Sequence, residues 1–166
     1  NNNTGVGHDV LGANTSGDTN TAMGSTTLNT NTTGSGNTGV GYAALTANTS
    51  GASNVAVGSS ALQANTTAAD NVAVGYQALL TNTTGAENTS LGSFSMNLNT
   101  TGSYNSAVGR LALRVNTTGI QNTALGYQTM AANTTANNNT AVGYNAMVAN
   151  TTGTVNVAVG AQALDA

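Results

Sequence analysis

Few side chains in this sequence can do chemistry. His8 is the one histidine, and Asp9 stands beside it. With many Ser and Thr hydroxyls in the chain, the pair is the start of a Ser–His–Asp hydrolytic arrangement. Adjacent strand residues point to opposite faces, however, so the two are not expected to act together. The acids are Asp9, Asp18, Asp70, Glu87 and Asp165, and Asp70 and Glu87 lie 17 residues apart. That pair would offer Ca²⁺ two carboxylates or simply decorate a solvated turn. The turn is preferred, because no Asp column recurs as calcium-binding repeats require. Lys and Arg total 2, Arg110 and Arg114, so there is no basic patch for a nucleic-acid backbone. Without Cys there is no disulfide framework, Fe–S cluster or thiolate zinc site. No cofactor or metal is expected, and the chain does not read as an enzyme.

Tyr42, Tyr76, Tyr127 and Tyr144 carry the remaining candidate chemistry. Each follows a recurring Gly, at a place that in three other copies holds Ser25, Ser59 or Ser93. An exposed tyrosine row would stack on sugar rings, and the simpler reading is an amphipathic rim over a turn. Gly-x-Gly at 5–7 and 39–41 resembles a nucleotide-loop fragment, but no helix signal and no Lys follow.

A tandem repeat sets the spacing of these residues. Gly7, Gly24, Gly41, Gly58, Gly75, Gly92, Gly109, Gly126, Gly143 and Gly160 are 17 residues apart throughout. Four residues before them stand Asn3, Asn20, Asn37, Asn54, Asn71, Asn88, Asn105, Asn122, Asn139 and Asn156. Leu or Met follows each Gly by four, from Leu11 to Leu164, and Asn-Thr-[Ser/Thr] recurs nine times from Asn14 to Asn150. Counted from the Asn that opens each copy, row 1 is that Asn, row 5 the Gly, row 9 the Leu or Met and row 12 the second Asn.

Unbroken phase means that each copy makes the same contacts with its neighbours. Seventeen residues are too few for a helical repeat, and Asn, Thr, Val and Gly are poor helix formers. The expected fold is all-β: a parallel β-solenoid (β-roll or β-helix) of ten 17-residue coils, one repeat domain over 1–166. Each coil would hold two or three short strands, and coils would stack about 4.8 Å apart. Absence of Pro agrees, since Pro deletes ladder hydrogen bonds.

Row 4 is always aliphatic (Val6, Met23, Val40 and so on to Val159), and row 2 is Thr, Val or Ser. Rows 2 and 4 share a strand face, expected inward. Row 3 is only Gly, Ala or Ser and faces the other way. Its strict smallness is read as close approach by another chain, the alternative being a tight packing corner within one coil. The row 5 Gly is expected at φ > 0 or against neighbouring backbone, and Asn-Thr-Thr-Gly as a turn, its Asn and Gly both tolerant of left-handed conformations. The Asn rows are expected to form stacked amide ladders. Two large aliphatic side chains per coil make a thin core, so self-association as a homotrimer or an end-to-end filament is expected.

The first and last copies resemble the middle ones rather than caps, which reads as an excerpt of a longer array or a unit stacking end to end. No signal peptide is visible and no apolar run is long enough for membrane insertion. The Asn-Thr-[Ser/Thr] triplets at Asn14, Asn31, Asn48, Asn65, Asn82, Asn99, Asn116, Asn133 and Asn150 are formal glycosylation sequons. Glycans every 4.8 Å or so along the axis would clash, so turn chemistry explains them better.

The segments N-T-A-V-G-Y-N-A-M-V-A-N-T-T-G at 139–153 and N-V-A-V-G-Y-Q-A-L-L-T-N-T-T-G at 71–85 resemble the shaft repeats of bacterial and phage tail-fibre-domain proteins. The core N-x-A-V-G is similar to the N-S-V-A-I-G repeats in the head of trimeric autotransporter adhesins, a trimeric left-handed parallel β-roll. These resemblances imply a homotrimeric extracellular fibre, on a cell surface or virion, that attaches to a surface glycan or receptor. The expected function is a non-enzymatic structural shaft. Two alternatives stand beside it: an ice-binding solenoid with Thr rows, and a glycan-binding surface along the Tyr row.

Overall fold

The computed structural model describes residues 1–165. Ten three-residue strands run through it: β1 (Thr4–Val6), β2 (Thr21–Met23), β3 (Thr38–Val40), β4 (Val55–Val57), β5 (Val72–Val74), β6 (Thr89–Leu91), β7 (Ser106–Val108), β8 (Thr123–Leu125), β9 (Thr140–Val142) and β10 (Val157–Val159). They form one sheet in chain order. Neighbours are parallel and in repeat register, as in Val72↔Thr89 and Val74↔Leu91. The molecule is a parallel β-solenoid in which equivalent residues line up along the axis. Each coil contributes one strand rather than the two or three expected. Turns form the remainder, and their peptide groups bond along the axis instead of within a regular strand.

The strand faces are the reverse of the sequence expectation. Row 3 points inward: Ala22, Ala56, Ala73, Ala107 and Ala141 are fully buried. Rows 2 and 4 point outward. Row 9 explains this, because Leu28, Leu45, Leu62, Leu79, Met96, Leu113, Met130 and Met147 fill the interior opposite the strand. With the small row 8 residues (Ala44, Ala61, Ala78) packed beside them, little more than a methyl fits at row 3. At Gly39 even a methyl would lie 2.6 Å from Thr27 Cγ2. Row 3 is thus a packing row within the coil and not a chain–chain contact.

The other half of the interior is amide. Asn20 Nδ2 and Asn31 Nδ2 both donate to the Gly34 carbonyl, each at 2.9 Å. Asn20 Oδ1 accepts the backbone N–H of Asn37 at 2.9 Å and its Nδ2 at 3.2 Å. Asn48 Nδ2 donates to Asn31 Oδ1 at 2.8 Å. Rows 1 and 12 therefore form two ladders joined at the row 15 carbonyls. Asn20, Asn31, Asn37, Asn48, Asn54 and Asn71 are fully buried. A buried polar group is tolerable when each donor and acceptor has a partner, which this geometry supplies at every rung. It also shuts the row 12 sequon asparagines from Asn31 to Asn133 inside the folded rod, while Asn14 and Asn150 are partly exposed.

Left-handed backbone occurs in places that the residue types do not advertise. The Asn-Thr-Thr-Gly turn does not use it at its Asn or Gly. Rows 7, 9 and 17 do, with Gln77 at φ 53°, Leu79 at 52° and Glu87 at 56°. Non-Gly residues pay of order 1 kcal/mol for this conformation. In return it turns peptide groups along the axis: Gln77 N–H donates down to Ser59 O at 3.0 Å and Leu79 N–H donates up to Ser95 O at 3.0 Å. Leu79→Ala keeps that backbone but empties a fully buried site. It is expected to lower unfolding stability by about 2–5 kcal/mol, read from the urea midpoint at unchanged m-value.

Candidate binding face

The outward strand face follows from the inward one. With row 3 Ala held inside, rows 2 and 4 emerge on one side of every rung. Row 4 is aliphatic from Val6 to Val159, row 2 alternates among Thr, Val and Ser, and neither row carries a charge. Val74 is 37% exposed and Leu125 46%. Ten rungs at about 4.8 Å make this an uncharged band roughly 45 Å long, aliphatic along row 4 and mostly hydroxyl-bearing along row 2.

Row 6 lies just past the Gly, along one margin of the band. Tyr42, Tyr76, Tyr127 and Tyr144 are all exposed there. Tyr127 and Tyr144 stack nearly parallel, with centroids 5.6 Å apart and planes 9° from parallel. The Arg110 guanidinium lies 5.8 Å from the Tyr127 centroid, and its Nη1 donates to Tyr127 Oη at 3.4 Å. Tyr76 makes an edge-to-face contact with Phe94 at 5.2 Å instead. Tyr42 joins neither cluster.

The hydroxyl rows divide. Row 13 is occupied, as Thr49 Oγ1 donates to Thr66 O at 3.0 Å and Thr83 Oγ1 to Thr100 O at 3.1 Å. Row 14 (Thr33, Thr84, Thr101, Thr118) is exposed.

The titratable groups remain scattered. His8 Nδ1 and Asp9 Oδ2 are 3.1 Å apart, in a turn rather than a strand, so they meet where opposite faces were expected. Both side chains are exposed. Asp70 and Glu87 occupy row 17 of successive coils, both exposed. Among the described residues no group of three His, Cys, Asp or Glu gathers. The Asp18 carboxylate accepts the backbone N–H groups of Asn2 and Thr19, which hold it below the usual carboxylate range. No helix among the described residues is long and apolar enough to cross a membrane.

Sequence reasoning found the Tyr row but missed the aliphatic row 4 on the outside, having placed it inside. The available signal was that rows 3 and 8 are both small while row 9 is large, the signature of a narrow interior. Comparison of the chain with protein-family models, characterised proteins and solved structures finds no match.

Proposed function

We propose that this chain is a structural shaft of an extracellular fibre, assembled side by side from copies of itself through the band of rows 2 and 4. The observation that carries this reading is the uninterrupted, uncharged aliphatic row on the outside of ten stacked rungs. A contiguous apolar surface of that length marks an interaction site. A second copy is the natural occupant because it has the same rung pitch. Aliphatic side chains then meet aliphatic side chains at every rung, without a drift in register. The solenoid itself supplies stiffness, and its axial hydrogen bonds leave few sites for proteolytic opening. Resemblance of the repeat to tail-fibre shafts supports the extracellular setting and a threefold assembly.

Solution mass tests the reading. Light scattering at about 100 μM is expected to give an oligomer, most simply a trimer, and the double variant Val74→Asp/Val108→Asp a single chain with an unchanged circular dichroism spectrum. A monomeric parent chain, or a double variant of unchanged mass, overturns it.

One observation favours a second reading. The outward face presents Thr or Val and an aliphatic residue at each rung, a flat, regular array of the sort that could order water as ice does. Thermal hysteresis by a monomeric protein, abolished by Val74→Asp/Val108→Asp, would select that reading over self-association.

A further inference from the structure

We propose that Arg110, Tyr127 and Tyr144 form a binding site for a carboxylate-bearing sugar within an oligosaccharide. The site sits on row 6 of three successive coils and does not depend on the shaft reading, which uses rows 2 and 4. It narrows the general idea of a sugar-binding tyrosine row to one place and one chemistry.

Three observations converge there. The two basic side chains of the whole chain, Arg110 and Arg114, belong to a single coil. Among the described residues the only ion pair is His8–Asp9, so the Arg110 guanidinium has no acidic partner. Its Nη1 makes a long contact with the Tyr127 hydroxyl and the guanidinium lies near the outer limit of that ring's reach, which leaves the rest of the exposed fork available. A carboxylate is the group that such a planar fork pairs with bidentately.

The aromatic stack supplies the second element. Elsewhere row 6 tyrosines are separated by Ser, as Tyr42 and Tyr76 are by Ser59, whereas Tyr127 and Tyr144 are consecutive. Their parallel rings remain 37% and 54% exposed. The next residue in row 6 is Ala161, too small to cover the free face of Tyr144. Sugar C–H faces pack on such rings. Arg110 to Tyr144 spans two rungs, about 10 Å, which exceeds one sugar ring. The ligand is therefore an oligosaccharide lying along the axis, its acidic unit at Arg110 and a following ring at Tyr144.

The third element is hydrogen bonding beside the stack. Row 7 places Gln128 and Asn145 next to the tyrosines. Asn145 Oδ1 is the one buried side-chain oxygen or nitrogen without a hydrogen-bond partner among the described residues. An acceptor left unpaired in this way is costly, and a sugar hydroxyl reached by rotation of the amide would satisfy it.

Tyrosine fluorescence reads the site, since the chain has no Trp. The probes are an oligouronate, a sialylated oligosaccharide and a neutral oligosaccharide of equal length, each titrated to about 10 mM. At least one acidic probe is expected to bind more tightly than the neutral one, and the stronger of the two identifies the source of the carboxylate. Arg110→Gln is expected to remove that preference, an affinity loss of about tenfold. Tyr144→Ala should weaken acidic and neutral probes alike, and Tyr42→Ala should change nothing. Light scattering on each variant separates loss of the site from loss of assembly. No binding of either acidic probe, or an acidic preference that survives Arg110→Gln, overturns the proposal.

Discussion

Gly75→Ala is expected to cost more than about 4 kcal/mol, far beyond the usual effect of adding one methyl. Gly75 has φ +137°, where an L side chain is strained whatever the space. A Cβ there would lie 2.6 Å from the carbonyl carbon of Gly92, 2.7 Å from its oxygen and 2.9 Å from the Ser93 nitrogen. All three are backbone atoms of the next rung, and none can rotate away. Relief requires separating two coils. That breaks axial bonds such as Val72 N–H to Asn88 O and Gly92 N–H to Val74 O, both 2.8 Å. Because a solenoid is held by nearest-neighbour contacts, the loss is concentrated at that seam. Hydrogen exchange should show coils five and six opening first, and urea unfolding should shift strongly or split into two transitions. Gly85→Ala is the control. A Cβ there would also overlap a backbone oxygen of the next rung, that of Gly102, but Gly85 lies outside the left-handed region and its row already holds Ala68 and Ala136, so the rungs can shift to take a methyl without backbone strain, and a cost below about 2 kcal/mol is expected. Equal losses for the two variants would remove the special status of row 5.

The contrast between those two rows marks what is legible in this sequence. A 17-residue phase, a parallel register and asparagine ladders follow from residue spacing alone, because identical side chains stacked at one pitch have few other ways to satisfy their amides. Which strand face is buried does not follow from hydrophobicity. Val74 is more apolar than Ala73, yet Ala73 is inside. The deciding quantity is the width left by Leu79 across the coil, and that width depends on the left-handed turn at Leu79 itself. Nothing in the residue type announces such a turn; axial hydrogen bonding imposes it. His8 and Asp9 illustrate the same dependence, since assuming a strand separates them and the turn brings them together. Of the Arg110, Tyr127 and Tyr144 cluster, the tyrosines are visible as a row, while the pairing of Arg110 with Tyr127 needs the coil stacking that places them one rung apart.

The ladder also yields a prediction in which pH reverses its usual role. Asn71→Asp would place a carboxyl at a fully buried rung. One oxygen can still accept the Asn88 backbone N–H at 3.0 Å and Nδ2 at 3.1 Å. The other replaces an amide that donates to Asn54 Oδ1 at 3.2 Å, Ala69 O at 3.1 Å and Gly85 O at 3.0 Å. Protonated, the new group still has an O–H to give to one of these acceptors. Ionised, it faces three acceptor oxygens with no proton and no counter-charge. Its pKa in the folded rod must therefore lie above the unfolded value of about 3.9. A raised folded pKa contributes stability that is complete below the unfolded pKa and disappears as pH climbs toward the folded one. The variant is expected to be within about 2 kcal/mol of the parent below pH 4, and to lose a further several kcal/mol by pH 7. The parent slopes the other way in acid. Its Asp18, held low by the Asn2 and Thr19 N–H groups, contributes above its unfolded pKa and stops contributing as pH falls through the folded one. Urea midpoints for both proteins from about pH 3 to pH 8 test the ladder directly. If the two curves run parallel, the row 1 amides are not the buried, fully engaged donors described above.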